Sequence, residues 1–429
     1  MGQKVFGSPP AGAPAVQKEP HITLIMPSRS RIPLGAVLKN FARVARHPWI
    51  ARRLVALETE KWLFNLLFPR AREGVGRHIH QVSIRITDLC NLRCRTCGQW
   101  GEQGFLKGMD LAALKAREVS PARYQEILAD LVRHGHQPMV YFWGGEPMLY
   151  KGIMEVMEAA AALRLPVSIA TNGTRVAARA EQLVAMPLFL LQISIDGPRA
   201  EIHNRLRPGV RGGDNFADIQ AALAAVRQAR QEQGRDLPLI ASLTVISREN
   251  AHCLVELYET FASQVDLFVF YLSWWIDEAA ARAHERDFEE RFGFVPTLHR
   301  GWLGTWKPDD YEALSRELQT LLARSRAWHR PPVILIPSLT RPEDLKLYFT
   351  DHRARFGFDQ CVSIFQVMEV DSNGDVSPCR DYHDYVVGNL KEATLTELWN
   401  SPAYRRFRQS LATRGLMPVC SRCCGLMGY

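Results

Sequence analysis

From residue 81 onward, short apolar runs alternate with longer stretches of helical periodicity. The runs fall at 82–86, 139–143, 167–170, 188–195, 239–245 and 266–272. Runs this short, bounded by turn residues, read as buried strands, and the stretches between them read as helices. The first long helix is well signalled: Ser120 as N-cap, Pro121 at the first helical position, Gly135 past the end. Six alternating β/α units predict a parallel sheet with helices outside. The expected architecture is a partial (β/α)6, TIM-like barrel over residues 81–345, with functional loops at the C-terminal edge of its strands. Residues 333–336 predict one more strand leading out of it. Residues 346–429 break the rhythm. Positions 363–370 alternate, Asn373-Gly374 is a hairpin turn signal, residues 375–379 run back, and a helix is expected around 394–413. This is the pattern of a small C-terminal α+β domain.

Upstream, residues 1–20 are rich in Pro, Gly and Ala and read as disordered. Residues 21–80 read as a helical extension: Leu34, Val37, Leu38, Phe41, Val44 and Ala45 repeat at three and four, and an apolar stretch from Trp62 to Phe68 stops at Pro69. The charge sits here. Residues 1–80 hold 13 Lys and Arg against 4 Asp and Glu, whereas the whole chain is +8, so the remainder sums to −1. A basic extension suits an anionic membrane surface, an acidic partner, or plain solvation. Trp49, Trp62, Phe64 and Phe68 beside arginines either enter a lipid interface or plug the bottom of the barrel. No nucleic-acid-binding motif accompanies the charge, and no nucleic acid partner is expected.

Composition adds boundaries. Apolar content of 47% and charge of 23% are those of a globular protein. No run of about 18 uncharged apolar residues is present, and Met1-Gly2-Gln3-Lys4 lacks the apolar core of a secretion signal. Nine clustered cysteines, an odd number, fit a reducing compartment and metal ligation better than disulfides. The expected location is the cytoplasm, with peripheral membrane contact through residues 21–80 as the variant of it.

The chemistry starts directly after the first strand, at Cys90-Asn91-Leu92-Arg93-Cys94-Arg95-Thr96-Cys97. Three thiols within eight residues on one loop can converge on one face of a metal cluster. Three ligands cover three irons of a [4Fe–4S] cube and leave the fourth iron without a protein ligand, a site for chemistry. Cysteine zinc sites usually show two CxxC pairs close in sequence, and this spacing does not.

This CxxxCxxC loop resembles that of the radical S-adenosylmethionine (SAM) superfamily, whose mark follows the first barrel strand. The resemblance implies that SAM chelates the open iron and is split by one electron, and that the resulting 5′-deoxyadenosyl radical takes hydrogen from a substrate. It also implies an external reductant such as flavodoxin or ferredoxin. Three further stretches follow strands and are similar to superfamily elements. Gly144-Gly145-Glu146-Pro147 follows the second strand and resembles the GGE(P) element that holds the amino group of SAM. Thr171-Asn172-Gly173-Thr174 follows the third, with Asn172 implied as a ribose contact. Ser194-Ile195-Asp196-Gly197-Pro198 follows the fourth, with Ser194 implied at the ribose. Next comes His203-Asn204-Arg205-Leu206-Arg207, where Arg207 is implied at the SAM carboxylate. Asn204 stands where the family has Asp, so Arg205 competes with Arg207 for that role.

The tail carries Cys361, Cys379, Cys420, Cys423 and Cys424. It resembles the SPASM/Twitch extension of the same superfamily: a cysteine, GxxxxC, a helical link, then CxxC. Its cysteines suffice for one auxiliary [4Fe–4S] cluster, with Cys361, Cys379, Cys420 and Cys423 as implied ligands and Cys424 able to exchange with Cys423. Four thiolates close such a cluster to substrate, which suits an electron conduit; Cys₄ zinc is the alternative. Between barrel and tail, residues 271–306 are unusually aromatic and read equally as a substrate wall or a helical core.

The implied function is a radical SAM oxidoreductase acting on a small molecule, a sugar or a lipid-linked substrate. A maturase of a ribosomally made peptide is the first alternative. A non-catalytic iron–sulfur or zinc protein is the second, and the SAM-binding rim argues against it.

Overall fold

A computed structural model describes residues 46–64, 73–186, 188–304 and 306–427. The expected leader at 1–20 and the expected helical residues 34–45 lie outside these. The strands are β1 Gln81–Thr87, β2 Met139–Gly144, β3 Val167–Thr171, β4 Leu188–Ser194, β5 Leu239–Ile246, β6 Leu267–Leu272, β7 Val333–Ile336, β8 Val367–Val370, β9 Asp375–Ser377 and β10 Gly388–Asn389. They form one sheet in the order β10-β9-β8-β1-β2-β3-β4-β5-β6-β7. Every pairing from β8 through β7 is parallel, and β9 and β10 turn back antiparallel.

The mixed α/β architecture is the one the alternation implies, with one addition. The first strand of the tail runs parallel to β1, with Gln81 opposite Val367 and Ile84 opposite Val370. The auxiliary region therefore shares the sheet of the barrel. Its register also decides which tail side chains face inward: Glu369 and Tyr141 both pair with Ser83, so all three share a face. Met368 and Val370 point the other way, into the main apolar core.

Helices cover the outer face for the reason their sequences give. In helix Pro121–Arg133, Tyr124, Ile127, Leu128 and Leu131 are buried, Ser120 Oγ accepts from the Arg123 N–H at 3.3 Å, and Gly135 takes a φ of +80°. The helix expected around 394–413 is two, Leu395–Trp399 and Pro402–Arg414. Pro402 has no N–H to continue the first, so it opens the second, capped by Ser401 Oγ accepting from the Tyr404 N–H.

Helix Pro48–Trp62 lies across the bottom of the barrel. Ile50 is buried against Phe189, Leu237 and Leu239, with Trp49 and Leu54 alongside. The plugging role expected for Trp49 is the one this packing supports. Among the described residues no helix is long and apolar enough to cross a membrane. The tail is pinned back by Arg408, whose guanidinium lies 4.0 Å from the rings of both Trp399 and Tyr404. Its Nε and Nη1 donate to the carbonyls of Ile364, Gly74 and Trp399 and to Asn400 Oδ1, so a charge buried at 0% exposure is held by backbone, a side-chain amide and rings.

Candidate functional site

The loop after β1 carries Cys90, Cys94 and Cys97, and it is tied down on both sides. Arg93 N–H donates to Pro208 O, Arg95 N–H to Leu206 O, and Val210 N–H to Asn91 O. This antiparallel strapping sets the segment holding Arg207 beside the cysteines, with Arg207 Nη1 3.6 Å from Cys94 Sγ. Gly144 and Gly145 permit equally close approach from β2. A Cβ on Gly144 would lie 2.4 Å from Thr87 O, and one on Gly145 2.2 Å from Leu89 O.

Above the loop is a cavity of about 230 Å³ lined by all three cysteines. Of the expected SAM contacts, Gly144, Gly145, Asn172, Ser194 and Arg207 line it too. Arg205 is exposed instead. Asn204 explains the choice: its side chain bonds Asp214 Oδ1 at 2.8 Å and the Phe216 N–H at 3.0 Å, fixing the helix end so that Arg207 turns inward. Glu146 sits behind the wall. Its fully buried carboxylate accepts from Thr171 Oγ1 and the N–H of Asn172, both at 2.7 Å, and from the N–H of Met148 at 3.0 Å. These contacts bind the third-strand loop to the second. Burial nevertheless pushes the Glu146 carboxyl upward, despite those three donors.

Asp196, quoted in SxDGP without a role, proves central. Its Oδ2 lies 2.6 Å from Arg207 Nε and its Oδ1 accepts from the Val245 N–H at 2.8 Å. Burial lowers the Arg207 pKa in isolation, and Asp196 and Cys94 outweigh it and raise it. Asn91, inside the cysteine loop, accepts from Asn172 Nδ2 at 2.9 Å, a contact with no sequence signal beyond proximity.

The aromatic stretch divides between its two readings. Trp274 and Trp302 join Tyr141 and Trp143 in lining the cavity, and their rings meet edge-to-face at 5.2 Å. Gly98 makes this possible, since a Cβ there would meet the Trp302 ring at 2.5 Å. Trp275, Phe288 and Phe292 are core.

The thiols fit a cluster. Burial raises the pKa of Cys90, and the neighbouring Cys94 adds to it. Burial pushes Cys94 up to about 11, against the opposing pull of Arg207. Three thiolates this close repel unless cationic iron neutralises them, and N–H groups of Leu92 and Trp100 already point at Cys90 and Cys97 sulfur, at 3.5 and 3.4 Å.

The second site lies in the tail. Cys361, Cys379, Cys420 and Cys423 surround one small pocket, walled by Ile364, Phe407, Leu411, Met417 and Leu426. Burial raises Cys379 and Cys423 well above the ordinary thiol range. Cys424 turns away: its N–H donates to Asp381 Oδ2 at 2.9 Å and its Sγ–H to Oδ1 at 3.2 Å. Four cysteines lining one small, mostly apolar pocket fit a fully ligated iron–sulfur cluster. Arg380 lines this pocket and also lies 5.4 Å from the ring of Tyr141, which lines the first cavity.

Comparison with known families matches residues 84–261 to the family model described as the radical SAM superfamily, and residues 361–424 to SPASM, an iron–sulfur cluster-binding domain. The chain carries a radical SAM domain followed by a SPASM domain. Its cofactors are SAM with a [4Fe–4S] cluster in the core and iron–sulfur in the SPASM region. It is similar to an AdoMet-dependent heme synthase of Methanosarcina barkeri, 24% identical over 79% of this chain and 87% of that protein. It is similar to a pre-heme d1 synthase of Dinoroseobacter shibae, 25% identical over 78% and 76%. Among solved structures, SuiB of Streptococcus suis bound to S-adenosylmethionine superposes with a TM-score of 0.52 at 15% identity, over 79% of this chain and 69% of that one. The structure of anSMEcpe with AdoMet and the Cp18Cys peptide gives 0.51 at 20%, over 77% and 82%. At these identities the superpositions show the radical SAM/SPASM fold.

Proposed function

We propose that this radical SAM enzyme oxidises a small substrate held against the aromatic wall, with the tail cluster taking up the electron left behind. When bound, SAM on the core cluster supplies a 5′-deoxyadenosyl radical, and the auxiliary cluster supplies a one-electron acceptor. The chain supplies the rest. Cys90, Cys94 and Cys97 hold the core cluster; Arg207, fixed by Asp196, meets the SAM carboxylate; Asn172 and Ser194 meet the ribose; the Gly144-Gly145 backbone lets the cofactor lie close. Trp143, Trp274 and Trp302 exclude water around the radical and orient the substrate, which keeps the abstraction from being quenched. Cys361, Cys379, Cys420 and Cys423 close the auxiliary cluster against direct substrate ligation.

One observation carries this reading: a single contact, Arg380 over Tyr141, separates the two cysteine sites. An electron acceptor placed one side-chain layer from the radical cavity suits oxidation. The small-substrate form draws support from the cavity size and from the two synthase relatives that span most of the chain.

A second reading, peptide maturation, is favoured by a separate cleft of about 970 Å³ lined by Arg93, Arg95, Trp100, Lys107, Leu111 and Trp306. Its basic and aromatic lining suits an extended chain, and SuiB and anSMEcpe were each solved with a peptide. The readings part in one experiment. Reconstituted, dithionite-reduced protein is incubated anaerobically with SAM and a perdeuterated cell extract split by ultrafiltration at about 3 kDa. Deuterium in 5′-deoxyadenosine from the low-mass fraction supports the first reading, and from the high-mass fraction the second. No 5′-deoxyadenosine under any condition sinks both.

A further inference from the structure

A line of buried charges joins the two cysteine loops, and no cofactor contact accounts for it. It begins at Asp88, two residues before Cys90. Asp88 Oδ2 accepts from Arg117 Nη2 at 2.5 Å and from Ser372 Oγ at 2.6 Å, and its Oδ1 lies 3.3 Å from Arg85 Nε. Arg85 Nη2 reaches Asp371 Oδ2 at 2.9 Å, and Asp371 Oδ1 lies 2.5 Å from His383 Nδ1. The other ring nitrogen, His383 Nε2, meets the carbonyl of Arg380 at 2.6 Å. Arg380 follows Cys379 directly. Side-chain exposures along Arg85, Asp88, Asp371 and His383 are 6%, 0%, 10% and 3%.

Both ring nitrogens of His383 lie against acceptor oxygens. A carboxylate and a carbonyl are both acceptors, and a neutral imidazole has one N–H to offer them. Both contacts are attractive only for the imidazolium. Burial by itself would lower the His383 pKa, and the Asp371 carboxylate beside it outweighs burial and raises it. The line then reads Arg117⁺, Asp88⁻, Arg85⁺, Asp371⁻, His383⁺. It has one more cation than anions, and the unbalanced cation is at the end that abuts the auxiliary loop. Glu369, which also faces His383, lies 3.6 Å from Arg380. The His383 ring lies 6.0 Å from that of Trp143 on the radical cavity.

We infer that His383 is a positioning residue held as a fixed imidazolium, which anchors the Cys379 loop and biases the auxiliary cluster toward reduction. It rests on the reading that Cys361, Cys379, Cys420 and Cys423 hold an iron–sulfur cluster, and it is independent of the substrate. Net charge near a cluster is among the main determinants of its potential. A cation one loop away stabilises the reduced form. At an effective dielectric of about 20, removing one such charge is expected to change the reduced-to-oxidised ratio by about tenfold.

The test uses the full-length chain carrying Cys90→Ala, Cys94→Ala and Cys97→Ala, so that the tail alone loads. Iron content, far-UV circular dichroism and EPR-monitored redox titration are compared with and without H383Q, and again with H383N. The expected result is a more negative midpoint in both, with the reduced EPR signal at one fixed solution potential falling about tenfold in its ratio. Selective loss of tail iron with unchanged circular dichroism also supports the anchoring role. Full iron with an unchanged midpoint in both variants overturns it. If the parent variant holds zinc or no iron, the cluster reading of the tail fails instead, a failure distinguishable from an unmoved midpoint.

Discussion

Two cysteine sites in one chain differ mainly in what surrounds the sulfur. The three cysteines after β1 sit under a rim of charged and polar groups: Arg207, Asn172, Ser194 and the Gly144-Gly145 backbone. The four in the tail are walled by Phe407, Leu411, Met417 and Leu426. A rim of that kind binds an amino-acid cofactor; a wall of that kind excludes one. The difference teaches that ligand count and environment carry the same message here. Three sulfurs with hydrogen-bonding neighbours suit a reactive site, and four in a mostly apolar pocket suit the conduit proposed above.

The comparison breaks most readily at the sulfurs. Cys94→Ala is expected to abolish 5′-deoxyadenosine formation while the tail keeps its iron, as read by product chromatography and iron analysis. Cys423→Ala is expected to cost the tail its cluster and leave dithionite-driven SAM cleavage, whereas Cys424→Ala keeps both, because Cys424 is engaged with Asp381. Equal iron loss in the two variants would erase the distinction drawn between adjacent cysteines. Arg207→Lys keeps the charge and loses the planar fork held by Asp196. A loss of about 1.5–3 kcal/mol of charge-assisted hydrogen bonding corresponds to SAM binding weaker by roughly tenfold to a hundredfold in calorimetry.

The smallest effect tests the wall between the sites. Burial first, against the opposing pull of Arg380, raises the Glu369 carboxyl to about 7. A carboxyl whose folded pKa is raised holds its proton in the native state after the unfolded chain has released it. Stability therefore falls as pH climbs from the ordinary glutamate range to about 7, by at most about 3 kcal/mol. Glu369→Gln, which cannot ionise, should flatten the decline in melting temperature between pH 5 and 7.5. An unaltered slope would show that Glu369 is ionised in the native state throughout.

Much of this was legible from local pattern. Strand periodicity places β1 to β7 within a residue or two, because buried parallel strands are short, apolar and bounded by turn residues. CxxxCxxC is legible for the same reason: its chemistry is contained in eight consecutive positions. What escaped depends on neighbours far apart in sequence. Nothing in residues 367–370 announces pairing with β1, since so short a strand suits any sheet. Asp196 was visible in SxDGP, but its grip on Arg207 needs the strap between 206–210 and the cysteine loop. Trp302 acts at the cavity only because Gly98, directly after Cys97, leaves its ring room. The break at Pro402 was readable and lost only to the apparent continuity of a long polar stretch.

The place of β8 has a consequence for biosynthesis. On the ribosome β1 finds β2 within some fifty residues, and then waits for its other neighbour until β8, far later in the sequence, has been made. During that interval the loop bearing Asp88 lacks Ser372, and the first cysteines stand in a half-built frame. Metal insertion into the core is thus expected to follow the synthesis of β8, timed by its arrival beside β1.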